Sequence, residues 1–334
     1  MCYDARWKDA EYHMRLVFRR DALATFWIVP VFASLAVSAF SQNSDPVRVS
    51  ITPRVPSQLE VRTLRSGVIQ TDVNRVFIPT MVTDASGRPV QGLRKQDFRL
   101  LEDGVEQNLS DFFIEDGPIS IGVVLDLSGS IKSKLSQAQR AVSEFLRSCG
   151  SGDEYFLLTF KDEPKLVHSF TSDPKEIEAE VAVAQPSGWT ALYDAMVLAL
   201  HHMKKASLNR RVLLILSDGA DNNSRYSERE IRNLVRESDV RIFTISIQSN
   251  TPALDKLAAE SGGHAYQVKQ LDELPAVATA LSAEAHGAYV LGFSPPERQR
   301  GGKYHAIKVE LLEQPVGNQR LHVSWRRGYF DPLE

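Results

Sequence analysis

The amino-acid sequence predicts an α/β protein: an open, mostly parallel, doubly wound sheet flanked by an antiparallel β-sandwich built from N- and C-terminal segments. Three observations predict it. From Ile119 to about His286, short apolar runs alternate with segments of helical periodicity, the pattern of a sheet covered by helices on both faces. From Val47 to about Phe113 the texture is strand-like, and after His286 it becomes strand-like again. The chain has 334 residues, which at about 150 residues per domain favours two domains or one with a large insert.

The element order follows from local pattern. VRVSI, RVFIPTMV and DFRLLEDG run apolar or alternate between turns at Asp84-Ala85-Ser86-Gly87 and Glu102-Asp103-Gly104, whose residue types tolerate positive φ. Ile119–Leu125 is continuously apolar, as in a strand buried on both faces. A helix is expected over Lys132–Ser148, then strands Glu154–Phe160 and Lys165–Phe170 joined by the turn Lys161-Asp162-Glu163. Helices follow at Pro174–Val183 and Ala191–Lys205, then the apolar strand Arg211–Leu216. Helix Ser227–Glu237 opens on a serine cap, and helix Thr251–Glu260 ends at Gly262-Gly263. Strand Arg241–Ile247 lies between those two helices; strand Ala265–Val268 and helix Asp272–Ala285 close the unit. AYVLGFSP, YHAIKVELLE and LHVSWRRGYF supply the last strands, the RRGY run reading as an edge-strand guard. The expected organisation is therefore 1–41 signal peptide, 42–115 sandwich segment, 116–286 α/β domain and 287–334 strands that complete the sandwich, the alternative being two separate β pieces.

The apolar run Thr25–Phe40 follows Arg15, Arg19 and Arg20 and leads into small residues at Ser38, Ala39 and Ser41. That is the layout of a secretory signal cleaved after Ser41, with Met14 the cleaner start. The alternative is an uncleaved anchor, for which the run is short against the roughly twenty residues a spanning helix needs. The expected location is thus exported, periplasmic or at the cell surface, with membrane contact only if the segment stays uncleaved. Lys+Arg 39 against Asp+Glu 42 leaves no basic excess for nucleic acid. Two cysteines, Cys2 and Cys149, exclude a disulfide framework, and Cys149 reads as a small hydrophobe.

In an open α/β sheet, ligands sit beyond the carboxyl ends of the strands at a topological switch point. The loops there carry Asp126, Ser128 and Ser130, then Gly188-Trp189-Thr190, then Ser217-Asp218-Gly219 followed by Asp221 and Asn222. Asp126, Ser128, Ser130, Thr190 and Asp218 are hard oxygen donors with no His or Cys among them, a set suited to Mg²⁺, with Mn²⁺ or Ca²⁺ as substitutes. Two carboxylates and three hydroxyls under-coordinate such an ion, so water or a partner's acidic group must complete its shell. The alternative is a set of loop caps without an ion. Asp194, one turn into its helix, reads as a favourable charge at the helix N-terminus and not as a ligand. Tandem His201-His202 read as facing solvent or favouring the helix C-terminus, not as metal ligands.

DLSGS at Asp126–Ser130, Thr190 in GWTALYD and Asp218 in SDGADN resemble the metal-ion-dependent adhesion site (MIDAS) of the von Willebrand factor A family. The flanks are similar to exported bacterial proteins described as VWFA-related. The resemblance implies a metal that captures an Asp or Glu carboxylate of a protein partner, with the first-loop residues as ligands and Thr190 and Asp218 binding directly or through water. Relatives commonly carry a second glycine at the position of Trp189, so this aromatic either forms a recognition rim or folds back over the helix. Asp221 and Asn222 read as turn-formers that could also touch a partner, and with Trp189 they are the candidate partner contacts.

Catalysis has little support. The GxSxG elbow, GxGxxG and the Walker spacing are absent. A Mg²⁺-dependent phosphatase-like enzyme with an Asp nucleophile after the first strand would want a second carboxylate where Ser128 stands. The expectation is a non-catalytic, cation-dependent binding protein; the alternative is a structural envelope protein whose ion only stiffens loops.

Overall fold

The computed structural model describes residues 75–85, 87–249, 251–295, 302–312 and 321–331. The expected signal segment, the VRVSI strand and most of the PERQRGGK turn lie outside the described residues. Among those described, no helix is long and apolar enough to cross a membrane.

The N-terminal flank forms β1 (Val76–Thr83), β2 (Phe98–Glu102), β3 (Val105–Gln107) and β4 (Leu109–Glu115). The α/β unit follows as β5 (Ser120–Asp126), α1 (Leu135–Ser148), β6 (Glu154–Phe160), β7 (Pro164–Thr171), α2 (Pro174–Ala182) and α3 (Leu192–Met203). It continues through β8 (Arg211–Ser217), α4 (Glu228–Glu237), β9 (Val240–Ile247), α5 (Pro252–Ser261), β10 (Ala265–Val268) and α6 (Leu274–His286). The C-terminal flank supplies β11 (Ala288–Phe293), β12 (Tyr304–Leu311), β13 (His322–Trp325) and β14 (Gly328–Phe330).

The central sheet runs β10-β9-β8-β5-β6-β7. Its strands are parallel except β7, which returns antiparallel beside β6 because only a short turn separates the two. Every residue of β5 is buried, as its unbroken apolar run requires. One core layer joins the sheet to α1, α2 and α6, and the other joins it to α3, α4 and α5. Gly122 in the middle of β5 makes room for a ring: a Cβ there would lie 2.2 Å from Cζ of Phe156. The serine cap of α4 is a reciprocal box: Ser227 accepts from the Glu230 amide while its own N–H donates to the Glu230 carboxylate at 2.9 Å. The glycine stop of α5 is Gly262, at φ 81°.

Both flanks build one sandwich. Its sheets are β13-β1-β11-β4 and β14-β12-β2-β3, each mixing strands from before and after the α/β unit. Ile78 pairs with Leu291, and Leu100 with Val309. The shared core holds Ile78, Val82, Phe98, Leu100, Leu291, Phe293 and Val309. The RRGY run lies where the edge reading puts it, joining β13 and β14, each the outer strand of its sheet. Arg326 binds Asp239 and the carbonyl of Arg236, and the Arg327 guanidinium lies over the Trp325 ring, so this run docks the sandwich on the end of α4.

At the amino-terminal edge of the central sheet, Asp153 ties three segments. Oδ1 accepts from the Ile119 amide at 2.8 Å, Oδ2 accepts from the Gly150 amide at 2.9 Å, and His286 Nε2 lies 2.8 Å from Oδ2. Burial raises its pKa, but the bonds from His286 and the Ile119 amide outweigh burial and hold the carboxyl below its ordinary range. Neighbouring Cys149 completes a trio of potential ligand atoms within 4.8 Å of one another. Burial pushes its thiol up to about 12, which leaves it an inert hydrophobe at neutral pH.

A group whose folded pKa is depressed stabilises the protein above its unfolded pKa, about 3.9 for Asp. Asp153 therefore contributes fully at neutral pH and loses its contribution as pH falls through the lower folded value. Asp153→Ala is expected to cost about 3 kcal/mol at pH 7, with the buried Ile119 amide and the partly buried Gly150 bond both losing their acceptor. The gap from wild type should narrow below about pH 4. Urea unfolding at several pH values measures both; a gap that widens on acidification contradicts the assignment.

Candidate metal site at the carboxyl ends of the strands

The switch point falls at β5. The chain leaves β5 for β6 on one side and later returns to β8 on the other, so the loops after β5 and β8 emerge side by side, with Leu125 opposite Leu216. Asp126 ends β5 and is fully buried. Its Oδ1 accepts from the Ser128 amide at 2.8 Å and its Oδ2 from the Ser217 hydroxyl at 2.6 Å. The Ser128 and Ser130 hydroxyl oxygens are 3.0 Å apart, and Ser130 donates to Asp218 Oδ1 at 2.7 Å. Burial raises the Asp126 pKa; its bonds from Ser217 and Ser128 partly offset that, and the charge of Asp218 adds to it.

The Thr190 loop is held by its backbone. The Gly129 amide donates to the Gly188 carbonyl at 3.0 Å, and the Ser187 amide to the Leu127 carbonyl at 2.8 Å. Across the site, the Thr190 amide donates to Asn222 Oδ1 at 2.8 Å, while the Asn222 amide returns to the Thr190 carbonyl at 3.0 Å. Thr190 is thereby buried between the first and third loops.

Three predicted residues take different parts. Asp221 Oδ1 caps α3, accepting from the Leu192 and Tyr193 amides at 2.9 and 3.2 Å and from the Ser224 hydroxyl at 2.5 Å. Asn222 spends its side-chain oxygen on Thr190. Both are turn-formers that position the loops. Trp189 instead is 64% exposed, so it does not fold back over the helix. Asp194 stays out of the donor set: its carboxylate accepts from the Arg225 and Tyr226 amides at 2.9 and 3.2 Å and pairs with the Arg225 guanidinium.

Other contributors escaped the sequence reading. Lys134 places Nζ 2.7 Å from Asp218 Oδ2. Asp162, in a turn with no evident role, accepts from the Trp189 amide at 2.9 Å. Gly188 lies against it at φ 77°, where a Cβ would sit 2.2 Å from Asp162 Oδ2; the glycine is required by both conformation and space. His202 does not face solvent: it is buried, stacked on Phe170 with ring centroids 5.3 Å apart and edge-on to Phe156 at 4.8 Å.

The donor chemistry fits a hard divalent cation. Asp126 accepts from the Ser128 amide, the Ser128 and Ser130 hydroxyls touch, and Ser130 reaches the Asp218 carboxylate, so loops that their own backbone fixes gather two carboxylates and two hydroxyls, with Thr190 on the adjoining loop.

Residues 121–220 match the von Willebrand factor type A domain family, and the α/β unit is a domain of that class. Inter-alpha-trypsin inhibitor heavy chain H4 of Sus scrofa is 27% identical over 169 residues, covering 45% of this chain; the chain thus spans 18% of that relative's length. An uncharacterized protein of Borreliella burgdorferi is 25% identical over 141 residues, covering 39% of this chain and 41% of its own. Among solved structures, a von Willebrand factor type A protein from Catenulispora acidiphila covers 78% of this chain and 75% of its own at 11% identity and TM-score 0.47. Proximal thread matrix protein 1 of the mussel byssus, with a zinc-occupied MIDAS motif, covers 55% of this chain and 50% of its own at 18% identity and TM-score 0.48.

Proposed function

We propose that this chain is an exported, non-catalytic binding protein in which Asp126, Ser128, Ser130, Thr190 and Asp218 hold Mg²⁺, or Mn²⁺ or Ca²⁺ in its place. The observation that carries the reading is the bonded cluster of Asp126, Ser128, Ser130 and Asp218 at the switch point of a von Willebrand factor type A domain. A bound divalent ion there supplies an electrophilic position that a partner's Asp or Glu carboxylate can take. The chain's own residues orient the donors, exclude water from beneath the site and leave Trp189 exposed at its margin as the partner-facing side chain. The export signal before residue 42 and the absence of a basic surplus favour a protein partner outside the cytoplasm over nucleic acid.

The burial of Asp126, with both oxygens bonded, argues against its use as a phosphoryl-accepting nucleophile. The test is retention of peptides presenting Asp or Glu on the immobilised full chain, in Mg²⁺ and in EDTA. Mg²⁺-dependent retention, lost when the peptide carboxylates are amidated, is expected. Trp189→Ala should weaken retention without changing Mg²⁺ affinity. Equal retention in EDTA would remove the carboxylate-capture reading and leave an ion that only stiffens loops.

A further inference from the structure

The donor set already touches a cation of the chain's own. Lys134 sits at the joint between a 3₁₀ turn, Gly129–Ser133, and the start of α1. Its Nζ lies 2.7 Å from Asp218 Oδ2 and 3.4 Å from the Ile247 carbonyl at the end of β9. The Lys134 side chain is 17% exposed and that of Asp218 1%, so the pair is largely withdrawn from water. In such a setting the ammonium is a fixed part of the local charge, not a screened surface partner.

The charge balance is specific. Asp126 and Asp218 bring two negative charges and Lys134 one positive, leaving a single net negative charge. A divalent ion turns that into a single net positive charge, and one incoming carboxylate brings the assembly to neutrality. Without the lysine, the ion alone would neutralise the site and an incoming carboxylate would leave it negative. Asp218 Oδ1 is taken by Ser130 and Oδ2 by Lys134, so an ion approaching Asp218 also meets the repulsion of an ammonium already bonded to it.

We infer that Lys134 is a built-in counter-cation that weakens the site's hold on a bare divalent ion and favours the ion together with a partner's carboxylate. The inference rests on the metal-site reading proposed above. It makes Lys134 a positioning and affinity-setting residue, without contact to the ion.

The experiment is calorimetric titration of Mg²⁺ into the full chain, wild type and Lys134→Gln, beside thermal melts over a Mg²⁺ series. Lys134→Asn, whose shorter amide leaves room for water around Asp218, is the second neutral variant should the first fold poorly. Lys134→Arg keeps the charge. The neutral variants are expected to bind Mg²⁺ about tenfold tighter or more, because one repelling charge a few ångströms away is gone. They should melt lower than wild type without Mg²⁺ and gain more from each increment of it. Lys134→Arg should keep the wild-type affinity, which a purely steric role for lysine would not require. Tight binding by a neutral variant where wild type is silent also supports the inference. Equal or weaker Mg²⁺ binding by folded neutral variants, with wild type binding normally, overturns it and leaves the metal site standing. Silence in wild type and neutral variants alike overturns both.

Discussion

Asp126→Ala is expected to lower Mg²⁺ affinity by about a hundredfold or more, which places it beyond ordinary calorimetric detection. The reason lies in where the carboxylate sits. Asp126 closes the central strand, is fully buried, and has the ordinary preference for ionisation worked against by burial and by the neighbouring charge of Asp218. The fold tolerates this anion through the Ser128 amide and the Ser217 hydroxyl. On the proposed metal-site reading, a divalent cation would offset this buried charge, so most of the ion's attraction to the first loop would be concentrated in one residue. Serine hydroxyls can orient around the ion but cannot replace the charge. Asp126→Asn keeps the shape and an acceptor for Ser217 while removing the charge, and should lose nearly as much affinity as alanine. Melting temperatures complete the argument: wild type should rise with Mg²⁺ while both variants stay flat. Wild-type affinity in either variant would mean that the ion is held elsewhere.

Much of this site was legible because its signals are short-range. DLSGS, GWT and SDG each stand immediately beyond an apolar strand or before an apolar helix, and parallel-sheet topology makes those places converge. Lys134 was not legible for a physical reason. Periodicity predicts a helix from Lys132, which gives that lysine no special direction; instead a 3₁₀ turn occupies Gly129–Ser133 and α1 starts at Leu135. The lysine sits at the break and reaches a carboxylate 84 positions away. Asp162 and His202 were missed in the same way. A carboxylate in a turn, or a histidine late in a helix, has no local mark of the distant amide or aromatic ring it meets. The sandwich shared by both flanks was readable because β-texture on either side of an α/β unit leaves edges that pair most economically with each other. The role of the RRGY run was not, since docking on α4 depends on a neighbour contributed by another domain.

Arg210→Ala is expected to cost about 3 kcal/mol and to split a cooperative melt, because this residue clamps the two crossings between sandwich and α/β domain. The chain enters the domain after β4 and leaves it into β11, and those strands are neighbours, with Glu115 opposite Ala288. Arg210, immediately before β8, reaches both crossings. Its guanidinium donates to the Gly117 carbonyl on the way in and to the His286 carbonyl, at 2.7 Å, on the way out, and pairs with Glu115 at 3.3 Å. Arg241 donates to the Ala285 carbonyl beside it, and burial together with the nearby Arg210 charge depresses its pKa to about 10. Two guanidiniums held this close persist because the last carbonyls of α6 form the negative end of a helix dipole. Removing Arg210 leaves the Gly117 and His286 carbonyls without that donor, and the sandwich is then joined to the inserted domain by strand continuity and by the Arg326 contacts on α4. Calorimetry should show a van't Hoff enthalpy below the calorimetric one, with an early transition as the sandwich melts first. Arg210→Lys, with one ammonium in place of a forked guanidinium, should fall between, since it can reach one crossing but not both. A single transition at the wild-type temperature in Arg210→Ala would assign the coupling to strand pairing and the Arg326 contacts on α4 instead.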